Sequence, residues 1–201
     1  MNYKAVSYYL SLFFFPISLL SFINILYSLY FDYFLSIDSY IITLIASLLT
    51  GTLFYFFGKN SDKTLNFFEQ IFLVVLIYFF SSIFISIPYI YGNYSLTFVN
   101  AFFESISGLT TTGFSVLENI KYLDPTLILW RSSSQWIGSF YFLIFLLIVF
   151  SNKQFNYKLT YLVFDENPGN NENFIKNIIF KIFLIYSLLT FLIFLLLSYS
   201  D

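Results

Sequence analysis

Phe102-Phe-Glu-Ser-Ile-Ser-Gly-Leu-Thr-Thr-Thr-Gly-Phe114 is a stretch too polar to cross a bilayer, standing between two segments that can. Working back from it, Asn100, Glu104 and Ser107 recur at helical spacing and form one polar stripe, while Phe98, Phe102, Ile106 and Leu109 fall mostly away from it. The pattern predicts a helix over residues 96–109, with Ser95 as N-cap and Gly108 as the C-terminal stop. Fourteen residues rise about 21 Å, short of the roughly 30 Å hydrocarbon core. Such a segment dips into a membrane and returns. Irregular backbone at that depth needs protein or a water-filled cavity around it, so the residues after Gly108 are expected to be buried by neighbouring helices.

The composition puts the rest of the chain in a membrane. Of 201 residues, 59% are hydrophobic and 10% charged, against roughly 25% charged in soluble domains. The net charge of −2 is spread thinly, so no basic face exists for nucleic acid. The absence of cysteine and histidine excludes disulfides, thiolate or imidazole metal sites and the usual nucleophile triads. Without a second buried acid beside Glu104, general acid–base chemistry has almost nothing to run on, and the chain does not read as an enzyme. The aromatic content of 25% reads as lipid-facing phenylalanine with tyrosine at the interfaces. The apolar run after Lys4 is longer than a signal-peptide core and lacks a small-x-small cleavage pattern, so it reads as a first span.

Five segments reach spanning length, over residues 6–31, 40–57, 71–91, 125–150 and 178–199. Pro16 and Pro88 inside two of them read as tolerated kinks. With all five crossing, Lys4, Lys59, Lys63, Lys153, Lys158, Lys176 and Lys181 share one side, and Asp32, Asp38, Glu118 and Asp124 share the other. Positive charge marks the cytoplasmic face, which places the N-terminus inside the cell. The link over residues 151–173, rich in turn formers, then joins the last two spans.

Thr110, Thr111, Thr112 and Gly113 suit an ion filter for separate reasons. Threonine brings a hydroxyl oxygen and a stiff β-branched side chain that favours extended backbone. Glycine permits the positive φ that keeps successive carbonyls aimed at one axis, where they replace an ion's water shell. The partial negative charge at the C-terminal end of the preceding helix favours a cation there. Arg131 lies six residues into its span, about 9 Å along the axis. A charge at that depth pairs or reaches water. Either it pairs with Glu104, bracing the filter from behind, or it snorkels to the outer interface. Gln135, four residues on, shares its face and is a candidate bond donor to the same loop. Trp130 and Trp136 read as interface and packing residues.

At these residues the chain resembles the Trk-type potassium-uptake membrane subunits of the Trk/Ktr/HKT superfamily. The matching stretches are Ala101-Phe-Phe-Glu-Ser-Ile-Ser-Gly-Leu-Thr-Thr-Thr-Gly113 and Trp130-Arg-Ser-Ser-Ser-Gln-Trp-Ile-Gly138, with Asp124-Pro125 between them. Ser139 stands where the family often has a second glycine. The resemblance implies an all-α integral membrane protein in which four repeats of helix, pore loop and helix surround one potassium path. Residues 1–66 correspond to the two-helix hairpin that precedes the repeats in the Trk branch. Residues 67–152 correspond to the first repeat, and residues 153–201 to a cytoplasmic linker with the first helix of an incomplete second repeat. The expected architecture is thus five transmembrane helices plus one re-entrant pore helix and filter loop, supplying one of four filter segments as a fragment of a longer protein. The implied cargo is potassium, held at Thr111 and Thr112, with no cofactor. The implied partners are the lipid bilayer, the remaining repeats, a second copy in a homodimer and a cytoplasmic nucleotide-binding regulatory subunit. The implied location is the cell inner membrane. A membrane segment that assembles with a partner, or a truncated remnant without transport, is the rival expectation.

Overall fold

Residues 2–61, 65–117, 123–150 and 172–200 are described in the computed structural model, and every regular element among them is helical. The elements are α1 (Tyr3–Tyr30), a short 3-10 turn (Phe34–Ser36), α2 (Ile37–Gly58), α3 (Phe67–Tyr91), α4 (Phe98–Leu109), α5 (Pro125–Phe150) and α6 (Glu172–Ser200). The spans expected at 6–31, 40–57, 71–91 and 125–150 coincide with α1, α2, α3 and α5 to within a turn. Lys63, Glu118, Lys153 and Lys158 lie outside the described residues, as does the link over 151–173 except for its last two residues, which open α6. The chain falls into two compact units, Met1–Ser139 and Phe140–Asp201.

In the first unit α1 and α2 form an antiparallel hairpin whose contact depends on small residues. A Cβ added to Gly58 would stand 2.4 Å from the Lys4 carbonyl and 2.6 Å from the Tyr8 nitrogen, so the two backbones touch there. Phe14 lies between α2 and α3, with its ring 6.0 Å from Phe54 and 5.0 Å from Phe84. The starts of α1 and α3 are tied together. Glu69 caps its own helix by accepting from the Asn66 amide at 2.9 Å, and its other oxygen accepts from the Asn2 amide at 2.6 Å. Hence α1 and α3 run parallel, with α2 antiparallel to both.

Serine and threonine fill the contacts between these helices, and most return their hydroxyls to their own helix. Ser11 donates to Tyr8, Ser18 to Phe15, Ser28 to Asn24, Thr43 to Ser39 and Ser47 to Thr43, all to carbonyls. That satisfies each group without a partner helix and lets the backbones approach closely. The outward faces are leucine, isoleucine, valine and phenylalanine, with Leu53 66% exposed.

Among the described residues four helical segments are long and apolar enough to cross a membrane: Tyr3–Tyr30, Ile37–Gly58, Phe67–Tyr91 and Ile179–Tyr199. The described part of α5 is not among them, which departs from the expectation of five. Arg131, three serines and Gln135 make its first half polar. In the second unit the ring of Phe140 lies 5.6 Å from Phe183 and 6.3 Å from Tyr186 on α6.

Candidate functional site

The turn from α3 into α4 is built by backbone bonds. Ser95 donates its amide to the Gly92 carbonyl (3.1 Å) and Leu96 to that of Tyr89 (3.0 Å), with Ser95 itself at φ 41°. Ser95 is therefore used in the reversal and is not the N-cap. The cap is Thr97, without a side-chain bond, and α4 begins two residues later than expected. It is 12 residues long, which gives about 18 Å of rise. It descends beside α3, its Phe102 ring 5.8 Å from that of Phe79.

Helix α4 ends at Leu109, the expected limit, but not by way of Gly108. Gly108 does not stop the helix, which runs to Leu109, and the left-handed position belongs to Thr111 at φ 58°. The Thr111 amide donates to the Gly108 carbonyl (2.9 Å) and the Thr112 amide to that of Ser107 (3.1 Å), the paired bonds of a Schellman cap. Glycine is the usual occupant of that position because it lacks a Cβ. Gly108 is needed elsewhere: a Cβ on it would meet Ser134 Oγ of α5 at 2.8 Å. Gly138, one turn further along α5, is tighter still, since its Cβ would lie 1.9 Å from the Leu109 carbonyl oxygen. The small residues Ser134 and Gly138 stand four apart, the spacing that signals close helix contact. Replacing Thr111 by Gly is expected to stabilise the fold by about 1 kcal/mol, because left-handed backbone costs roughly that for a residue with a Cβ. A thermal unfolding midpoint in detergent that does not rise would show that the turn is unstrained.

After Thr112 the chain turns back along α4. The Ser107 hydroxyl donates to the Phe114 carbonyl (2.6 Å), and one turn higher Glu104 receives the strand. Glu104 Oε1 accepts from Ser115 Oγ (2.7 Å), from the Val116 amide and from the Leu117 amide (3.3 Å). Its other oxygen pairs directly with Arg131 Nη1. The guanidinium also reaches Ser115 Oγ at 3.3 Å and the carbonyls of Gly113 and Phe114 at 3.5 Å. Glu104 is fully buried and Arg131 is 7% exposed. Arg131 therefore pairs rather than snorkels, which satisfies both charges inside the protein.

The polar stripe of α4 is its inward face, since Glu104 and Ser107 are buried while Phe98 and Ile106 are exposed. Leu109, expected on the far side, is fully buried against α5. Gln135 makes no hydrogen bond to the returning strand among the described residues; Ser134 and Gly138 take the face turned to α4. Ser107 was read only as part of the polar stripe, and Ser115 and the amides of Val116 and Leu117 escaped the sequence reading, for no periodic pattern marks a strand held by one carboxylate. Thr110, Thr111, Thr112 and Gly113 are exposed, contrary to the expectation of burial after Gly108. Ser107 and Glu104 of α4 and Arg131 of α5 hold the strand that follows the threonines. Nothing lies within 4 Å of a Cβ placed on Gly113, whose φ is 79°.

Neither a family profile nor a solved structure matches the chain. Among curated proteins, the Trk system potassium uptake protein TrkH of Halomonas elongata is 30% identical over 102 residues, 50% of this chain and 21% of that protein. TrkH of Escherichia coli K12 is 31% identical over 97 residues, 48% of this chain and 20% of that protein. The Trk system potassium uptake protein TrkI of Halomonas elongata is 46% identical over 57 residues, 28% of this chain and 12% of that protein. The alignments span at most about a fifth of these relatives. Over about half of its length, this chain is similar to the Trk system potassium uptake proteins.

Proposed function

We propose that the chain takes part in potassium uptake across the cell inner membrane, with the strand of Thr110, Thr111, Thr112 and Gly113 forming one of four walls of a filter. The observation that carries this reading is the reversal at Thr111. A helix too short to cross ends there, the chain doubles back, and an ion pair fixes the returning strand while its threonines stay open on the other side. In this reading α4 is a re-entrant pore helix whose C-terminal dipole favours a cation. Potassium sits at Thr111 and Thr112 and meets oxygen in place of water. Glu104 and Arg131 act as supports, and Gln135 acts through packing. All five long helices cross, with the N-terminus cytoplasmic. The organisation is 1–66 as a leading hairpin, 67–152 as one repeat and 153–201 as linker and opening helix of the next. The remaining repeats, a second copy and a cytoplasmic nucleotide-binding regulatory subunit complete the assembly. The exposure of the strand on one side fits a wall that needs others opposite it.

Exchange of residues 98–138 into the corresponding stretch of the Escherichia coli potassium uptake protein TrkH tests the reading. The chimera is expected to restore growth of a potassium-uptake-deficient strain at limiting potassium. Adding Gly113→Asp to it is expected to abolish rubidium uptake, because a side chain at that position projects into open space beside the strand. A chimera that reaches the membrane and carries no rubidium would favour the rival role, a segment that assembles without conducting.

A further inference from the structure

Where the last turns of α1 and α3 meet the start of α2, the helices bury polar groups that their own backbones do not satisfy. Asn24 of α1 is fully buried and gives its side-chain N–H to the Leu20 carbonyl at 3.0 Å. That bond fixes the amide, and its oxygen, an acceptor only, meets no donor among the described residues. Tyr89 of α3 is equally buried, and its hydroxyl has no partner among the described residues. Serine hydroxyls in such helices, those of Ser81 and Ser82 included, can turn onto a carbonyl of their own helix. A side-chain carbonyl and a phenol at the far end of a ring have no such retreat. Ser21 Oγ, buried and unpartnered as well, adds an atom that can both give and accept.

Helix register brings these groups to one level. Phe14 sits between Phe80 and Phe84 of α3, at 6.4 and 5.0 Å, and against Gly51 of α2. About two turns further along the parallel pair Ser21 stands level with Tyr89, and about three turns along the antiparallel pair Asn24 stands level with Tyr40. Tyr89 and Tyr40 lie within electrostatic range of each other. Pro88, beside Tyr89, has no amide for the Phe84 carbonyl, which leaves one more acceptor on the same turn of α3. The Tyr40 hydroxyl donates to Thr126 Oγ1 at 3.3 Å, and Thr126 donates to the half-buried Asp124 carboxylate at 2.9 Å. A row of polar groups thus runs from the start of α5 into the bundle.

We propose that Asn24 Oδ1, Tyr89 Oη and Ser21 Oγ form an internal hydration site, holding at least one ordered water that donates to Asn24 and accepts from Tyr89. Asn24 needs a donor and Tyr89 an acceptor, and water is the smallest species that is both. The Tyr40, Thr126 and Asp124 row is the polar route between this site and the end of the bundle where α5 begins. The site is separate from the threonine turn and does not depend on what that turn binds.

X-ray hydroxyl-radical footprinting of the whole chain in lipid nanodiscs tests the site, because the radicals arise from water and modify the side chains that hold it. Phe14 is the reference, 1% exposed against 0% for Tyr89, with a ring of similar intrinsic reactivity. The Tyr89 ring is expected to be modified several-fold faster than that of Phe14. Asn24→Leu with Ser21→Ala, which removes both partners on α1, is expected to bring the two rates together, and an unchanged Phe14 rate shows the fold intact. Should the double variant fail to fold, N24L and S21A taken singly are each expected to slow the modification of Tyr89. Wild-type Tyr89 modified no faster than Phe14 overturns the proposal whatever the variants do. Fast modification that persists in the variants overturns the assignment to Asn24 and Ser21.

Discussion

Arg131→Ala is expected to destabilise the protein by about 3–5 kcal/mol, the usual cost of leaving a buried charge without its partner. The fully buried Glu104 carboxylate would keep only neutral donors, namely the Ser115 hydroxyl and the amides of Val116 and Leu117. Glu104→Gln should cost less, about 1.5–3 kcal/mol, the range for hydrogen bonds to charged groups. Its amide oxygen still accepts from the strand, and Arg131 retains the Gly113 and Phe114 carbonyls at 3.5 Å. Combining Glu104→Gln with Arg131→Met should cost less than the sum of the singles, because removing both partners leaves no orphaned charge. Unfolding of the four proteins in mixed micelles can be followed by the fluorescence of Trp130, which is buried beside the pair with its indole N–H donated to the Ile85 carbonyl at 3.1 Å. A loss below 1 kcal/mol for Arg131→Ala would show that the pair is solvated in the membrane.

Gly138→Ala should disrupt the same region by a different route. The atoms its Cβ would meet belong to the Leu109 backbone, with the carbonyl oxygen at 1.9 Å, the carbonyl carbon at 2.6 Å and Cα at 2.8 Å. None of these can rotate away, so α4 must move, at a cost of about 1–3 kcal/mol or more. The substitution therefore shifts the end of the helix that carries the threonine turn. Gly108→Ala is expected to be milder, because the obstacle there is the Ser134 hydroxyl, the end of a side chain that can turn. Thermal unfolding together with hydrogen exchange in peptides of α4 separates the two. Equal effects would contradict the closeness of the α4–α5 crossing.

These contrasts show which features the sequence could disclose. Helix α4 was legible because a polar stripe at helical spacing, too short to cross, stands between two apolar runs. The Glu104–Arg131 juxtaposition was legible because a charge several residues inside a span needs an acid at its own depth, and Glu104 is the nearest. The helix limits were less legible. Both Ser95 and Gly108 have the chemistry of caps, yet Ser95 is used in the preceding turn and Gly108 makes room for Ser134. The left-handed position fell to Thr111, a residue whose intrinsic preference argues against it. Local propensity yielded there to the bonds that close the helix on Ser107 and Gly108. The clamp on residues 115–117 left no sequence signal at all, since two of its three donors include backbone amides common to every residue type.

The central claim is that the threonine strand offers its oxygens to a cation largely stripped of water. Anomalous diffraction from crystals of the protein grown in thallium, a heavy stand-in for potassium, tests it most directly. The account predicts a peak within coordinating distance of oxygens of Thr110, Thr111, Thr112 or Gly113, on the side of the strand away from Glu104 and Arg131. Ordered density for the strand with no thallium beside it, or with acyl chains packed against it, would contradict the account.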